Sequence, residues 1–180
     1  MNARNKGQMA DIKLRRTAFH EAAHAVVLAV CQLRLSTVFI QRTPKERRKH
    51  GMPGRVVQVH ESMMFNIKEA AGSCVASFAS MATERLVDPT LTYTFLSLST
   101  CASDCDGASK VCAQFSIDER RAIATATHLV RLNRSVIRTV ADALLEHGEL
   151  TYGQVMAVVD PFSPTALRSR LLVDRLWEKS

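Results

Sequence analysis

Apolar residues recur at helical spacing from Lys13 to about Leu33: Leu14, Ala18, Ala22, Val26 and Ala29, with Phe19, Ala23, Val27 and Val30 between them. Together they cover most of a helix surface, which predicts a central, buried helix. Two β-favouring runs follow, Ser36 to Gln41 and Gly54 to His60, separated by the loop TPKERRKHGMP. A short hairpin or two-strand edge is expected there. From about Met63 to Val87 small residues (Ala70, Ala71, Gly72, Ala76, Ala79, Ala82) alternate with Val75, Phe78 and Leu86. That composition predicts a helix packed closely against a neighbour and ended by Asp88-Pro89. The next stretch, TLTYTFLSLSTC, is compatible with either a strand or an ordered loop.

Capping patterns mark the remaining starts. Ser103 with Asp106 opens one helix, and Ser116 with Glu119 opens a long one that keeps helical spacing to a C-terminal cap at Gly148. Thr151 with Gln154 starts a short helix, and Ser163 to Trp177 reads as a last, amphipathic one. The expected fold is mainly α and compact, with a small β-hairpin or edge sheet. Residues 1–12 are expected as a flexible tail, 13–160 as the domain and 161–180 as a helical extension.

Composition narrows the classes. A chain of 180 residues with 47% hydrophobic content has material for one core. The net charge of +7 favours acidic partners without choosing a kind. Basic residues cluster at Lys45, Arg47, Arg48, Lys49 and His50, and again at Arg131, Arg134 and Arg138. Neither cluster is interleaved with aromatics and no base-reading motif is present, so solvated faces are expected and nucleic acid is disfavoured. Five cysteines form no CxxC pair, which suits reduced, buried thiols and a cytoplasmic setting. No apolar segment resembling a secretion signal follows the basic N-terminus. Ala18 to Leu33 is short for a membrane span and contains three ionisable groups, so no membrane association is expected.

Those three groups are the informative ones. His20 and His24 stand four apart and therefore share one helix face, the bite a tetrahedral metal needs. Glu21, about 100° round the helix, can reach a metal-bound water without taking a ligand position. This is the HExxH pattern, two ligands and a general base. A shuffled chain of this composition contains it roughly 0.01 times, so chance is a poor account of it. The competing account is a pair of half-buried histidines satisfied by carboxylate or backbone. The extended HExxHxxGxxH form is excluded, because Val27 and Val30 occupy its Gly and third His positions. Glu61, Glu69, Glu84, Asp104 and Asp106 remain as third-ligand candidates, and spacing does not choose among them.

Four segments in order resemble the peptidase domain of FtsH-type ATP-dependent zinc proteases. TAFHEAAHAVV is similar to its metal-binding helix and STVFIQRTPK to the strand after it. AGSCVASFASMATERLV resembles its Gly/Ala-rich helix, and CASDCDGASKVC its segment with an Asp followed four residues later by Ala. LNRSVIRTVADALLEHGELTYGQV resembles the closing helices, so the likeness runs from about Thr17 to Asp160. It implies one Zn²⁺ per chain held by His20, His24 and Asp104, with Glu21 as base and metalloendopeptidase activity on protein or peptide substrates. Asp106 lies roughly 200° from Asp104 round a helix, so the two cannot face one metal. The resemblance gives Glu84 as a partner of a ligand histidine or a reserve third ligand. Ala23 replaces the usual Gly, and Ser103 stands where Asn is common.

No GxxxxGK[ST] occurs, so the expectation is a stand-alone peptidase domain without the ATPase module. The family's ATP-dependent peptidase label then implies a separate ATPase partner or self-association. Substrate is expected along an edge of the 36–60 hairpin by strand addition. The alternative reading is a non-catalytic zinc-binding helical domain whose basic patches hold an acidic partner or nucleic acid.

Overall fold

The computed structural model describes residues 3–43, 54–58, 66–87, 101–160 and 163–176, with side chains from Asp11 onward at the N-terminal end. The described residues form seven helices and three strands, mainly α with a small antiparallel sheet, as expected. In chain order these are α1 (Ala3–Val30), β1 (Leu35–Ile40), β2 (Gly54–Gln58), α2 (Ile67–Val87) and α3 (Ala102–Phe115). Then follow α4 (Glu119–Leu132), α5 (Arg134–His147), β3 (Glu149–Thr151), α6 (Tyr152–Val158) and α7 (Pro164–Asp174). The TLTYTFLSLST segment and the Lys45 to His50 cluster lie outside the described residues.

α1 runs through the middle of the molecule. Ala18, Ala22, Ala23, Ala25, Val26, Val27, Ala29 and Val30 are fully buried, against α2 on one side and α5 and the sheet on others. Their small side chains let α2 approach with its own Ala70, Ala71, Val75 and Ala79, also fully buried. Close approach of this kind maximises dispersion contacts per residue. α1 begins at Ala3, so residues 3–12 are helical instead of forming the expected tail. Ala3, Lys6, Gln8, Met9 and Ala10 are good helix formers with no proline among them, and propagation from a buried helix costs little.

β1 and β2 pair antiparallel with Val38 opposite Val56 and Ile40 opposite Gly54, the hairpin that the hydrophobic pattern predicted. A third strand, β3, adds to the other side of β1 with Leu150 opposite Val38, giving the order β2-β1-β3. Three residues are too few to carry a period, so β3 was invisible in the pattern. Among the described strands the order leaves β2 at an edge.

The helix starts need correction. α3 begins at Ala102 after Cys101, with no side-chain cap, so Ser103 lies inside the first turn. Ser116 caps the end of α3 instead of opening α4: it takes a left-handed conformation (φ 55°), and Ile117 N–H bonds Cys112 O. Asp118 is the N-cap of α4, accepting from Arg121 N–H. The long helix is interrupted at Asn133, whose buried Nδ2 donates to Leu129 O (2.9 Å) and Ser169 Oγ (3.1 Å). Periodicity could not reveal the break, because Ala126, Leu129, Ile137, Val140 and Leu144 face the same core on both sides of it. Gly148 does cap α5, at φ 82°, and Thr151 with Gln154 forms a full capping box on α6.

α7 packs on α4 and buries Ala166, Ser169 and Val173, so the expected C-terminal extension shares the core. Cys74, Cys101 and Cys112 are buried, and burial pushes the Cys31 thiol up to about 12. The thiols pack; Cys74 Sγ, 3.5 Å from Ala108 O, also ties α2 to α3. No described helix is long and apolar enough to cross a membrane.

Candidate metal centre

α1 delivers His20 and His24 to one point, one turn apart, with their rings edge to face and centroids 4.8 Å apart. α3 brings Asp104 in its first turn, where the helix dipole favours a carboxylate. Asp104 Oδ2 accepts from His20 Nε2 at 3.0 Å and lies 3.3 Å from His24 Nε2, and the two Nε2 atoms are 3.2 Å apart. Three donor atoms thus converge in a near-equilateral triangle. Two N–H groups aimed at each other would repel, whereas a cation between the three atoms engages every lone pair. With metal–ligand bonds of about 2.0–2.1 Å, two corners of a tetrahedron stand about 3.3–3.4 Å apart, close to the observed sides. The donor set therefore fits: His20, His24 and Asp104 can hold a metal ion.

Electrostatics concentrates charge here. Burial pulls the His20 pKa down, but the Asp104 and Glu84 carboxylates, together with the Glu21 charge, outweigh it and the net value is pushed up to about 10. Burial also opposes the Asp104 charge. The His20 and His24 hydrogen bonds outweigh that and hold its carboxyl well below the usual carboxylate range. Glu21 is 6% exposed. Burial raises its pKa and Asp104 adds to this, while the two histidine charges pull the other way.

Glu84, 2% exposed on α2, takes the far side of the ring. Its Oε1 is 3.7 Å from His20 Nδ1, an ion-pair distance beyond hydrogen-bond reach, and among the described residues no closer partner satisfies that nitrogen. Its Oε2 accepts from Arg16 Nη2 at 3.1 Å. Nδ1 and Nε2 point in divergent directions, so Glu84 is positioned to orient the imidazole. The reserve-ligand role has no geometric support. Asp106 is exposed, Glu69 accepts from Asn66 N–H at the start of α2, and Glu61 lies outside the described residues.

His20, Glu21, His24 and Asp104 line one cleft of about 670 Å³, walled by Gly54, Arg55, Val56 and Gln58 of β2 and by Ser73, Ala76 and Ser77 of α2. Gln58 Nε2 donates to Ser73 Oγ at 3.1 Å and ties the strand to the helix. Two further participants, Gly54 and Arg16, are absent from the sequence-based set of site residues. A Cβ on Gly54 would stand 2.8 Å from Glu21 Oε1 and 2.7 Å from its Cγ, so only glycine leaves that carboxylate its place. A glycine opening a β-favouring run was the available signal. Arg16 carried none, being one basic residue in a basic stretch.

No family model matches this chain, and no curated protein matches it.

Proposed function

We propose that this chain is a zinc-dependent metalloendopeptidase that hydrolyses peptide bonds in protein or peptide substrates. The observation that carries the reading is the convergence of His20 Nε2, His24 Nε2 and Asp104 Oδ2 within 3.0–3.3 Å in a cleft that Glu21 also lines. The triangle suits several first-row divalent ions. Glu21, one residue from a ligand and on the cleft wall, argues for zinc in hydrolysis. Bound there, zinc would activate a water and polarise the scissile carbonyl.

The chain's own groups supply the rest. Glu21 takes the water proton on its carboxylate and passes it to the departing amine. Its raised pKa suits the first of these transfers, since a carboxylate whose pKa is moved toward neutrality accepts a proton more readily than an ordinary one. Glu84, braced by Arg16, keeps the His20 ring turned so that Nε2 faces Asp104. Among the described strands β2 lies at an edge, whose backbone N–H and C=O groups would orient an extended peptide with little reading of its side chains. The resemblance to the FtsH-type peptidase domain agrees with the roles of Glu21 and Glu84. It also suggests self-association or a separate ATPase that feeds substrate.

The test is metal content and cleavage of unfolded protein substrates by wild type and Glu21→Gln. Wild type is expected to carry one zinc and to cleave; Glu21→Gln keeps the zinc and loses about 10²- to 10⁴-fold in rate. Stoichiometric zinc with no cleavage of varied substrates would leave the second reading, a non-catalytic zinc domain. Absence of bound metal would overturn both.

A further inference from the structure

A second groove, about 690 Å³, opens on another face of α1, roughly a third of a turn from the metal-binding face. Ile12, Phe19 and Leu86 form its apolar floor, and Ile12 is 52% exposed. Arg15, Arg134 and Arg138 stand around it, all exposed. Among the described residues none of these three has a carboxylate within ion-pair distance. Such guanidinium groups ordinarily point into solvent on separate faces. Here α1 and α5 turn them toward one depression.

We infer that this groove binds an acidic, apolar-bearing peptide segment of a partner protein. Charge complementarity sets the sign: three guanidinium groups favour carboxylates, each presenting a planar fork of donors. The floor sets the class. An exposed isoleucine beside Phe19 and Leu86 gains by covering with an aliphatic or aromatic side chain, which a phosphate backbone lacks. Asp142, on the groove wall, can accept from a peptide N–H, a donor that a phosphate backbone lacks. Nothing in this inference depends on the metal centre or on catalysis. Its innermost cation, Arg16, is committed to Glu84 at 3.1 Å, so the three outer arginines do the recognition.

The probe is a short fluorescent peptide of alternating Asp/Glu and Leu/Phe, read by anisotropy on the full chain. Comparison ligands are an all-Glu peptide, a Lys/Leu peptide of equal length and a single-stranded oligonucleotide. The expected result is saturable binding of the acidic-apolar peptide, weakened by the order of tenfold or more by Arg15→Glu with Arg138→Glu and by added salt. Ile12→Ser should weaken it without changing the salt dependence. Glu21→Gln should bind as wild type, which separates this inference from the peptidase reading. Thermal unfolding of each variant checks that the surface changes leave the fold intact. Tighter binding of the oligonucleotide, equal binding of the Lys/Leu peptide, or binding indifferent to charge reversal in folded protein would overturn the proposal.

Discussion

Asp104, Glu84 and Asp106 are three carboxylates with three different relations to one imidazole, and they should separate on substitution. Asp104→Asn removes a corner of the donor triangle and is expected to abolish stoichiometric metal retention after dialysis. Glu84→Gln leaves the corner but loosens the ring behind it, an expected loss of about 10- to 100-fold in metal affinity. Asp106→Asn, on an exposed position, should retain metal as wild type does. Equal retention by the Asp104 and Asp106 variants would remove Asp104 from the site. Gly54→Ala tests the other half of the centre. Its Cβ would press on Glu21 and not on the histidines, so metal content should hold while cleavage falls. Loss of zinc in that variant would show that β2 supports the ligands as well.

At the scale of elements, the site depends on how α2 and α3 sit against α1. Asn133 matters through the same frame: its buried amide joins Leu129 O on α4 to Ser169 Oγ on α7. Asn133→Ala deprives Ser169 Oγ of that donor, while Leu129 O keeps the backbone N–H of residue 133 at 2.9 Å; the loss should cost about 1–3 kcal/mol, read as a lower urea midpoint with an unchanged slope. The caps show what local sequence can specify. Thr151 and Gln154 satisfy one another's backbone groups within four residues, and Gly148 supplies a positive φ that other residues strain to adopt. Ser116 with Glu119 carries the same kind of signal for a start, yet Ser116 ends α3. A serine can begin a helix or end one in the left-handed conformation, and only the packing of Cys112 and Ile117 decides which.

At the scale of the molecule, a metal ion in the donor triangle would compete with the proton for His20. In chelator-treated protein its raised pKa contributes stability that is complete below its ordinary value of 6.5 and is lost as pH rises through about 10. Asp104, with its pKa lowered, contributes stability above its ordinary 3.8 that is lost as pH falls through the folded value. Metal requires neutral imidazole, so uptake at neutral pH expels the His20 proton and apparent affinity should climb with pH until His20 is neutral. Calorimetric titration in buffers of different ionisation enthalpy counts that proton; a count of zero would mean that His20 is already neutral. Because a metal held by His20, His24 and Asp104 would join α1 to α3, saturating zinc should also raise the melting temperature. A hundredfold excess over Kd contributes about 2.7 kcal/mol.

What is local can be read along the chain: a buried helix with His20, Glu21 and His24 on adjoining positions, the hairpin, the small-residue helix and the Gly148 and Thr151 caps. Each rests on contacts within one or two turns or on a period that a short window contains. Asp104 could be proposed from the sequence only through a resemblance, because 84 residues separate it from His20 and spacing left five carboxylates in contention. Tertiary structure decided that Asp104 alone of the described candidates reaches the two Nε2 atoms, that Glu84 stands behind the ring, and that Gly54 makes room for Glu21. It likewise gathered Arg15 from α1 with Arg134 and Arg138 from α5 around one groove. The physical reason is common to all of these. Convergence at a point depends on which helix faces meet, and those are chosen by packing the whole core, which no stretch of chain encodes alone.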